Sequence, residues 1–224
     1  MAYYINLNDI TLDEYQATLK AADLLPSRRI LQQNTETVFS LLKAQGLKTL
    51  ADLQAALKTK PKLMGLAEQT GIDADYLTIL IREINSLQPR PNKLADFPET
   101  PAGVVEKLAD IGIKHTLHLY DRILTPAGRV ALAAEIGVDA EAILRLAKLT
   151  DLSRIRWVNH TFAYVLLEAG YDTSAKVAQA DPAQLYQDVK ALNAEREIYK
   201  GQIGLHDMVL CVNVAKDVVQ EALF

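Results

Sequence analysis

Residues 66–74 read Leu66-Ala67-Glu68-Gln69-Thr70-Gly71-Ile72-Asp73-Ala74. A similar stretch occurs 66 positions later and reads Leu132-Ala133-Ala134-Glu135-Ile136-Gly137-Val138-Asp139-Ala140. This repeated pattern is the strongest indication of the fold. In both copies an apolar run ends at a glycine, and an aspartate follows two residues later. A glycine after such a run is a typical helix C-cap, and an aspartate before the next run is a typical N-cap. The pattern therefore predicts two helices joined by a tight turn, present twice.

The repeat extends outward from this stretch without a gap. The same shift places Gly46 on Gly112, and Lys48, Leu53, Thr59 and Leu80 on Lys114, Leu119, Thr125 and Leu146. A third copy begins near Leu152, where Leu166 and Gly170 correspond to Leu108 and Gly112, and it diverges after Asp181-Pro182. We predict tandem units of about 60–70 residues, each a pair of short helical hairpins. Their bounds are 1–88 (an N-terminal helix plus the first unit), 89–152 and 153–224.

Cap residues and apolar periodicity predict an all-α fold with helices throughout the chain. Thr11 and Glu14 form a capping-box pattern at the first helix start. Four of the eight prolines fall between residues 88 and 101, so no helix is expected to cross that stretch. The predicted helices are 12–24, 35–45, 49–58, 61–70, 73–87, 101–111, 115–124, 127–136, 139–149, 160–169, 173–179, 182–195 and 205–222.

Composition narrows the classes of protein. Half of the 224 residues are apolar, 23% are charged and the formal net charge is −4. These values exclude a disordered chain and a strongly basic nucleic-acid binder, and no window reaches the ~18 apolar residues of a membrane-spanning helix. The N-terminal residues lack the pattern of a signal peptide. The one cysteine, Cys211, fits a reducing compartment, so we expect a cytoplasmic protein without a membrane partner.

The third copy opens with a sequence that resembles the helix–hairpin–helix motif. Its apolar frame is kept by Ile155, Val158, Ala163, Leu166, Leu167 and Gly170. In that motif two hairpin glycines let backbone amides approach a phosphate at a helix N-terminus. Here those two positions hold Trp157 and Asn159 in the third copy, Glu99 and Pro101 in the second, and Gln33 and Thr35 in the first. The phosphate-binding glycines are replaced in all three.

Nearly the whole chain also resembles a bacterial family of helical proteins of unknown function with helix–hairpin–helix-like (SAM-like) domains. The resemblance rests on the segments 24–31, 76–85 and 149–158. It implies an all-helical fold related to DNA-binding modules. It implies no activity, cofactor or catalytic residue.

Two groups of residues are candidates for binding a partner or a nucleic acid. The first is the hairpin group Arg154, Arg156, Trp157, Asn159, His160 and Thr161, where arginines could meet phosphate and the indole could stack on a base. The second lies in residues 24–88, which carry eight cations against six carboxylates, with Arg28-Arg29 and Lys58, Lys60 and Lys62. The alternatives are that Trp157 packs between hairpins, that the arginines are solvated, and that the lysines stabilise a helix C-terminus.

Residues suited to catalysis or metal binding form only weak patterns. His115, His118 and Asp121 have a spacing that puts them on one helix face, but a fourth ligand is not evident. Cys211 lies among apolar residues and is expected in the core. We therefore expect no catalytic residue, no metal and no cofactor. The expected function is a non-enzymatic module that binds or scaffolds an unknown protein partner. The alternative is sequence-nonspecific DNA or RNA binding through the first and third units, and an enzyme or small-ligand binder is the least supported.

Overall fold

The computed structural model describes residues 3–224, so Met1 and Ala2 of the predicted first unit lie outside the described residues. Within residues 3–224 the regular structure is helical, and β-type pairing is limited to two isolated bridges. The thirteen α-helices in this part of the chain are α1 (Leu12–Ala21), α2 (Thr35–Ala44), α3 (Leu50–Leu57), α4 (Lys60–Thr70), α5 (Ala74–Ser86), α6 (Ala102–Asp110), α7 (Thr116–Ile123), α8 (Pro126–Ile136), α9 (Ala140–Leu152), α10 (His160–Glu168), α11 (Ser174–Ala178), α12 (Pro182–Arg196) and α13 (Leu205–Ala215).

Most predicted helices are confirmed. Their starts could be predicted because they are fixed by side chains that cap the helix locally. The Thr11 hydroxyl accepts from the Glu14 amide at 3.2 Å, and Glu14 accepts from the Thr11 amide at 2.8 Å. Asp73 caps α5 through the Asp75 amide at 2.8 Å. Gly71 and Gly137 end their helices with φ of +71° and +63°, a conformation that favours glycine. The all-α class is confirmed, and no α-helix crosses residues 88–101.

The ends of the first and last helices were predicted wrongly, and one further segment was not predicted. The first helix ends at Ala21 instead of Leu24, and residues Pro26–Gln32 form a 3₁₀ segment that the sequence did not indicate. The last helix ends at Ala215 instead of residue 222. Beyond it, the Val219 carbonyl accepts from the Arg154 guanidinium at 2.8 Å. This long-range bond competes with helix continuation.

The helix bounds themselves repeat at the predicted shift. Helices α3, α4 and α5 coincide with α7, α8 and α9 when the numbering is moved by 66. The loop before each set also pairs with an upstream segment in the same way. The Leu12 amide donates to the Lys48 carbonyl at 2.9 Å, and the Leu94 amide donates to the Lys114 carbonyl at 3.1 Å.

The chain forms two compact units, each with its own hydrophobic core. The N-terminal unit comprises residues 5–88, and its core includes Phe39, Leu53, Leu77 and Leu80. The C-terminal unit comprises residues 89–224 together with Tyr3 and Tyr4. The second and third predicted repeat units both lie in this C-terminal unit, so the division of the chain into three stays a prediction.

Candidate functional site

The hairpin that precedes α10 has a left-handed backbone at Trp157. Trp157 has φ of +68°, and Glu99, at the matching position of the second copy, has φ of +56°. In the first copy the left-handed residue is Asn34, with φ of +52°, one position after Gln33. A bulky residue in this region is strained. The second and third copies therefore have the left-handed residue at the same position, and the first copy has it one residue later.

The amides that open α10 are occupied by side chains of the protein itself. The His160 amide donates to Asn92 Oδ1 at 3.2 Å, and the Phe162 amide donates to Asn159 Oδ1 at 2.9 Å. Asn92 is held in turn by Thr116, whose hydroxyl accepts from the Asn92 amide at 3.0 Å. Two of the orphan amides expected at a helix start thus already have acceptors.

The other two hairpins differ in their chemistry. Helix α6 begins after Pro101, which has no amide to offer, and the Glu99 carboxylate binds Arg196 at 2.8 Å. Helix α2 begins after Asn34, whose side chain makes no cap bond, and Glu36 in its first turn pairs with Lys20 at 2.7 Å. A carboxylate therefore lies in or near both hairpins, and each is paired with a cation of the protein itself.

Arg154 does not lie on a surface, in contrast to both sequence interpretations. Its side chain is 3% exposed and binds Asp151 Oδ1 at 3.1 Å. The guanidinium also donates to the carbonyls of Tyr3 at 3.2 Å and Val219 at 2.8 Å, and lies 4.5 Å from the Tyr120 ring. Because these contacts fix it inside the C-terminal unit, Arg154 is a structural residue in this conformation.

Arg156, which is half-buried, and Trp157, which is exposed, contact each other within the predicted site. The Arg156 guanidinium stacks 4.2 Å from the Trp157 ring, and Trp157 is 38% exposed. Burial raises the pKa of the nearby Asp217, an effect that the Arg156 charge partly offsets. His160 and Thr161 are half-buried, and the His160 ring meets Phe97 edge-on at 6.4 Å. The structure thus brings Arg156 and Trp157 together and leaves Asn159 as an exposed helix cap.

The predicted basic residues of the N-terminal unit have different surroundings. Arg28 forms an ion pair with the buried Glu83 and donates to Ser86 Oγ at 3.2 Å. Arg29 is exposed. Lys58, Lys60 and Lys62 are exposed, but only Lys58 ends a helix. Lys60 and Lys62 lie in the first turn of α4, but Lys62 Nζ donates to the Ala55 carbonyl in the last turn of α3 at 3.4 Å, so the helix-dipole explanation was wrong only for Lys60.

The residues considered for catalysis or metal binding are Cys211, His115, His118 and Asp121, and the structure describes the surroundings of the first three. Cys211 is buried as expected, and burial raises the pKa of its thiol to about 12, so it stays a thiol at neutral pH. The rings of His115 and His118 stack with centroids 3.5 Å apart. Within residues 3–224 no group of three or more histidine, cysteine, aspartate or glutamate side chains could hold a metal ion.

One polar cluster of the C-terminal unit was missed by sequence reasoning. Arg196 donates to Glu168 at 2.6 Å and to the Tyr164 hydroxyl at 2.6 Å, and Arg145 donates to Glu168 at 2.7 Å. Burial acts to raise the pKa of Glu168, but these two arginines hold it below its usual range. The partners of Arg196, Glu168 and Tyr164, lie 28 and 32 residues away along the chain. Only the long-range contacts reveal the cluster.

These observations describe an all-helical protein whose hairpin amides bind its own side chains. The chain belongs to the family defined by a domain of unknown function, DUF4332, whose model matches residues 99–217. That match lies within the C-terminal unit. Comparisons with curated proteins and with solved structures found no match. No helix among residues 3–224 has the length and apolarity to cross a bilayer.

Proposed function

We propose that the protein is a non-enzymatic interaction module that binds a protein partner, built from bacterial helix–hairpin–helix-like units that have lost phosphate binding. The observation that carries the proposal is the filled hairpin before α10. A phosphate at that position would have to displace Asn92 from the His160 amide and Asn159 from the Phe162 amide. The left-handed backbone at Trp157 and Glu99 supports the relationship to the motif.

Trp157 is the residue best suited to anchor a protein partner. Tryptophan and arginine dominate the binding energy of many protein interfaces. Here an exposed indole is backed by the Arg156 guanidinium at 4.2 Å, on a tight turn that limits its movement. A rigid aromatic side chain loses little conformational entropy on binding. The proposed interface is therefore centred on Arg156 and Trp157.

The test compares partners retained by the full chain and by two variants. Trp157→Ala removes the proposed anchor, while Val130→Ala is a matched control at another apolar side chain, 59% exposed. We expect a defined protein to be retained by the wild type and by Val130→Ala after nuclease treatment. With Trp157→Ala its affinity should fall about 30-fold, the effect of a hot-spot residue worth roughly 2 kcal/mol. Equal retention by both variants would remove Trp157 from the interface.

A second candidate function is nucleic-acid binding through the first and third units. It is favoured by exposed Arg29, Lys58 and Lys60 and by the Arg156–Trp157 stack. Fluorescence anisotropy with labelled DNA and RNA at about 50 mM salt tests it, since phosphate contacts weaken steeply as salt rises. We expect no complex at micromolar protein. A salt-sensitive complex that Arg156→Ala weakens would replace the first proposal with this one.

A further inference from the structure

The three sequence copies cap a helix at the same position, but with different chemistry. Thr49 caps α3 by accepting from the Asp52 amide at 3.2 Å, and Asp52 accepts in return from the Thr49 amide at 3.0 Å. In the third copy Thr173 accepts from the Lys176 amide at 3.2 Å. The residues of α7 that match Thr49 and Asp52 at the shift of 66 are His115 and His118.

His115 performs the capping role with its imidazole ring. The His118 amide donates to His115 Nδ1 at 3.3 Å and also to the His115 carbonyl at 3.0 Å, and the two rings stack with centroids 3.5 Å apart. Nδ1 can accept this bond only while it carries no proton. Protonation would replace the acceptor with a donor and would place a positive charge at a helix N-terminus, where the dipole disfavours it. The Thr49–Asp52 cap has no such sensitivity near neutral pH.

The groups around His115 favour its neutral form. Lys93 lies directly across the antiparallel bridge, Lys114 precedes His115 in the chain, and His118 is stacked on it. Burial first, and then the charge of His118, lower the pKa of His115. The Tyr3 hydroxyl forms a hydrogen bond with Thr116, the residue that follows His115, at 2.6 Å. Burial raises the pKa of Tyr3 to about 12, so Tyr3 stays protonated.

The charged groups on the helices packed against α7 are engaged elsewhere. On α9, Asp151 binds Arg154. On α8, Glu135 pairs with Arg122 at the exposed surface. Arg129 of α8 donates to the Ile123 carbonyl at 2.8 Å, at the opposite end of α7 from His115.

The cap is connected by short contacts to the hairpin before α10. Thr116 directly follows His115, and its amide donates to the Asn92 carbonyl at 2.9 Å. Its hydroxyl accepts from the Asn92 amide at 3.0 Å. The Asn92 side chain accepts from the His160 amide at 3.2 Å. A change at the start of α7 therefore reaches an amide that opens α10 through two residues.

We propose that His115 and His118 form a pH-sensitive cap: protonation loosens the start of α7 and, through Thr116 and Asn92, releases the His160 amide. Because folding lowers the pKa of His115, the unfolded chain binds the proton more tightly. The stability that the cap supplies is complete above the ordinary imidazole pKa of about 6.5 and falls as the pH drops through that value toward the lower folded pKa. This device goes beyond the proposed function, and its readout needs no partner.

The experiment measures amide protection and histidine titration by NMR in the full chain between pH 8 and 5, with EDTA present. We expect the protection factor of the His118 amide, relative to its intrinsic exchange rate, to fall over this range, because a protonated His115 ring no longer accepts its bond. The His160 amide should lose protection in parallel. The variant His115→Thr/His118→Asp recreates the cap of α3 and should keep constant protection at both amides.

Two further variants keep the test decisive. His118→Asn alone removes the neighbouring charge and should raise the titration midpoint of His115. Thr49→His/Asp52→His moves the pair to α3 and should create the same pH dependence there. Unchanged protection at His118 from pH 8 to 5, or equal loss in the variant that restores threonine and aspartate, would overturn the proposal. Loss at His118 without loss at His160 would overturn its connection to the hairpin.

Discussion

Two of the left-handed residues, Trp157 and Glu99, show how a local backbone cost is offset by side-chain contacts. Such a conformation costs an L-residue roughly 1–2 kcal/mol. At Trp157 the side chain stacks with Arg156, and at Glu99 it binds Arg196. Glu197, which follows α12 with φ of +48°, has an exposed side chain and forms no ion pair within residues 3–224. Its backbone position is the one where helices commonly use glycine.

We therefore expect Glu197→Gly to stabilise the protein by about 0.5–1 kcal/mol, because glycine adopts this conformation without strain. Urea denaturation would measure the change in the free energy of unfolding. Glu195→Gly is the matched control inside α12, where glycine should destabilise by about 1 kcal/mol. A loss of stability in both variants would show that the Glu197 conformation carries no strain.

Arg154 is expected to matter for stability more than for binding. Arg154→Ala would leave Asp151, whose side chain is 4% exposed, without its cationic partner. Breaking one side of a buried ion pair costs roughly 3–5 kcal/mol. The free energy of unfolding, measured by chemical denaturation, should fall by that amount.

Arg156→Ala, at the half-exposed neighbour, serves as the comparison and should change stability by about 1 kcal/mol or less. If Arg154→Ala does not fold, Arg154→Lys retains the charge and should lie between the two. A change below 1 kcal/mol for Arg154→Ala would contradict the structural role of the buried pair.

At the scale of single elements, helix starts were predictable because their chemistry is local. Thr11, Asp73, Asp139 and Asp181 each accept a bond from an amide within three residues. Arg154 was not predictable, since its partners Tyr3 and Val219 lie 151 and 65 residues away along the chain. The last helix was predicted to extend to residue 222. Its end at Ala215 was also not predictable, because the Val219 carbonyl beyond it binds the distant Arg154. Sequence periodicity carries no information on which distant atom a side chain will meet.

Some features of the candidate site could likewise be predicted from the sequence, and others could not. The absence of glycine at Trp157 and Asn159 is visible in the sequence, and so is the capping side chain of Asn159. The contact of Asn92 with the His160 amide spans 68 residues and was not foreseen. The sequence could therefore show the cap at Asn159, but not that a second side chain binds the His160 amide.

The two side-chain acceptors at the start of α10 predict how anion binding could be introduced there. In the variant Asn92→Ala/Trp157→Gly/Asn159→Gly both occupied amides lose their acceptors, and the left-handed position becomes glycine. Helix N-terminal amides bind phosphate readily. We expect titration with inorganic phosphate to shift the NMR signals of His160 and Phe162 in this variant and to leave those of the wild type unmoved.

Asn92→Ala alone tests whether one released amide is enough, and we expect a smaller shift for His160 only. If phosphate leaves the triple variant unaffected while it remains folded, the hairpin is not a modified phosphate-binding turn. The relationship to helix–hairpin–helix units would then lose its main support.

At the scale of the whole molecule, the two compact units differ in how their cores are closed. The core of the N-terminal unit is made entirely within residues 5–88. The C-terminal unit uses Tyr3, which donates or accepts at Thr116 Oγ1 at 2.6 Å and stacks edge-on with Tyr120 at 5.3 Å. Tyr3 is 6% exposed. The N-terminal unit is thus continuous in sequence. The C-terminal unit also depends on Tyr3, which precedes the N-terminal unit in the chain.

This difference predicts opposite behaviour for two fragments. Residues 5–88 retain all their core contacts and should unfold cooperatively, as measured by circular dichroism during urea denaturation; a domain of this size is marginal but viable. Residues 89–224 lose Tyr3 and should be destabilised by about 3–5 kcal/mol, the cost of removing a large buried aromatic side chain.

In the full chain, Tyr3→Phe should lower the free energy of unfolding by only about 1 kcal/mol, because it removes one hydrogen bond and keeps the ring. If residues 5–88 show no cooperative transition while residues 89–224 are as stable as the full chain, the assignment of Tyr3 to the C-terminal core is wrong.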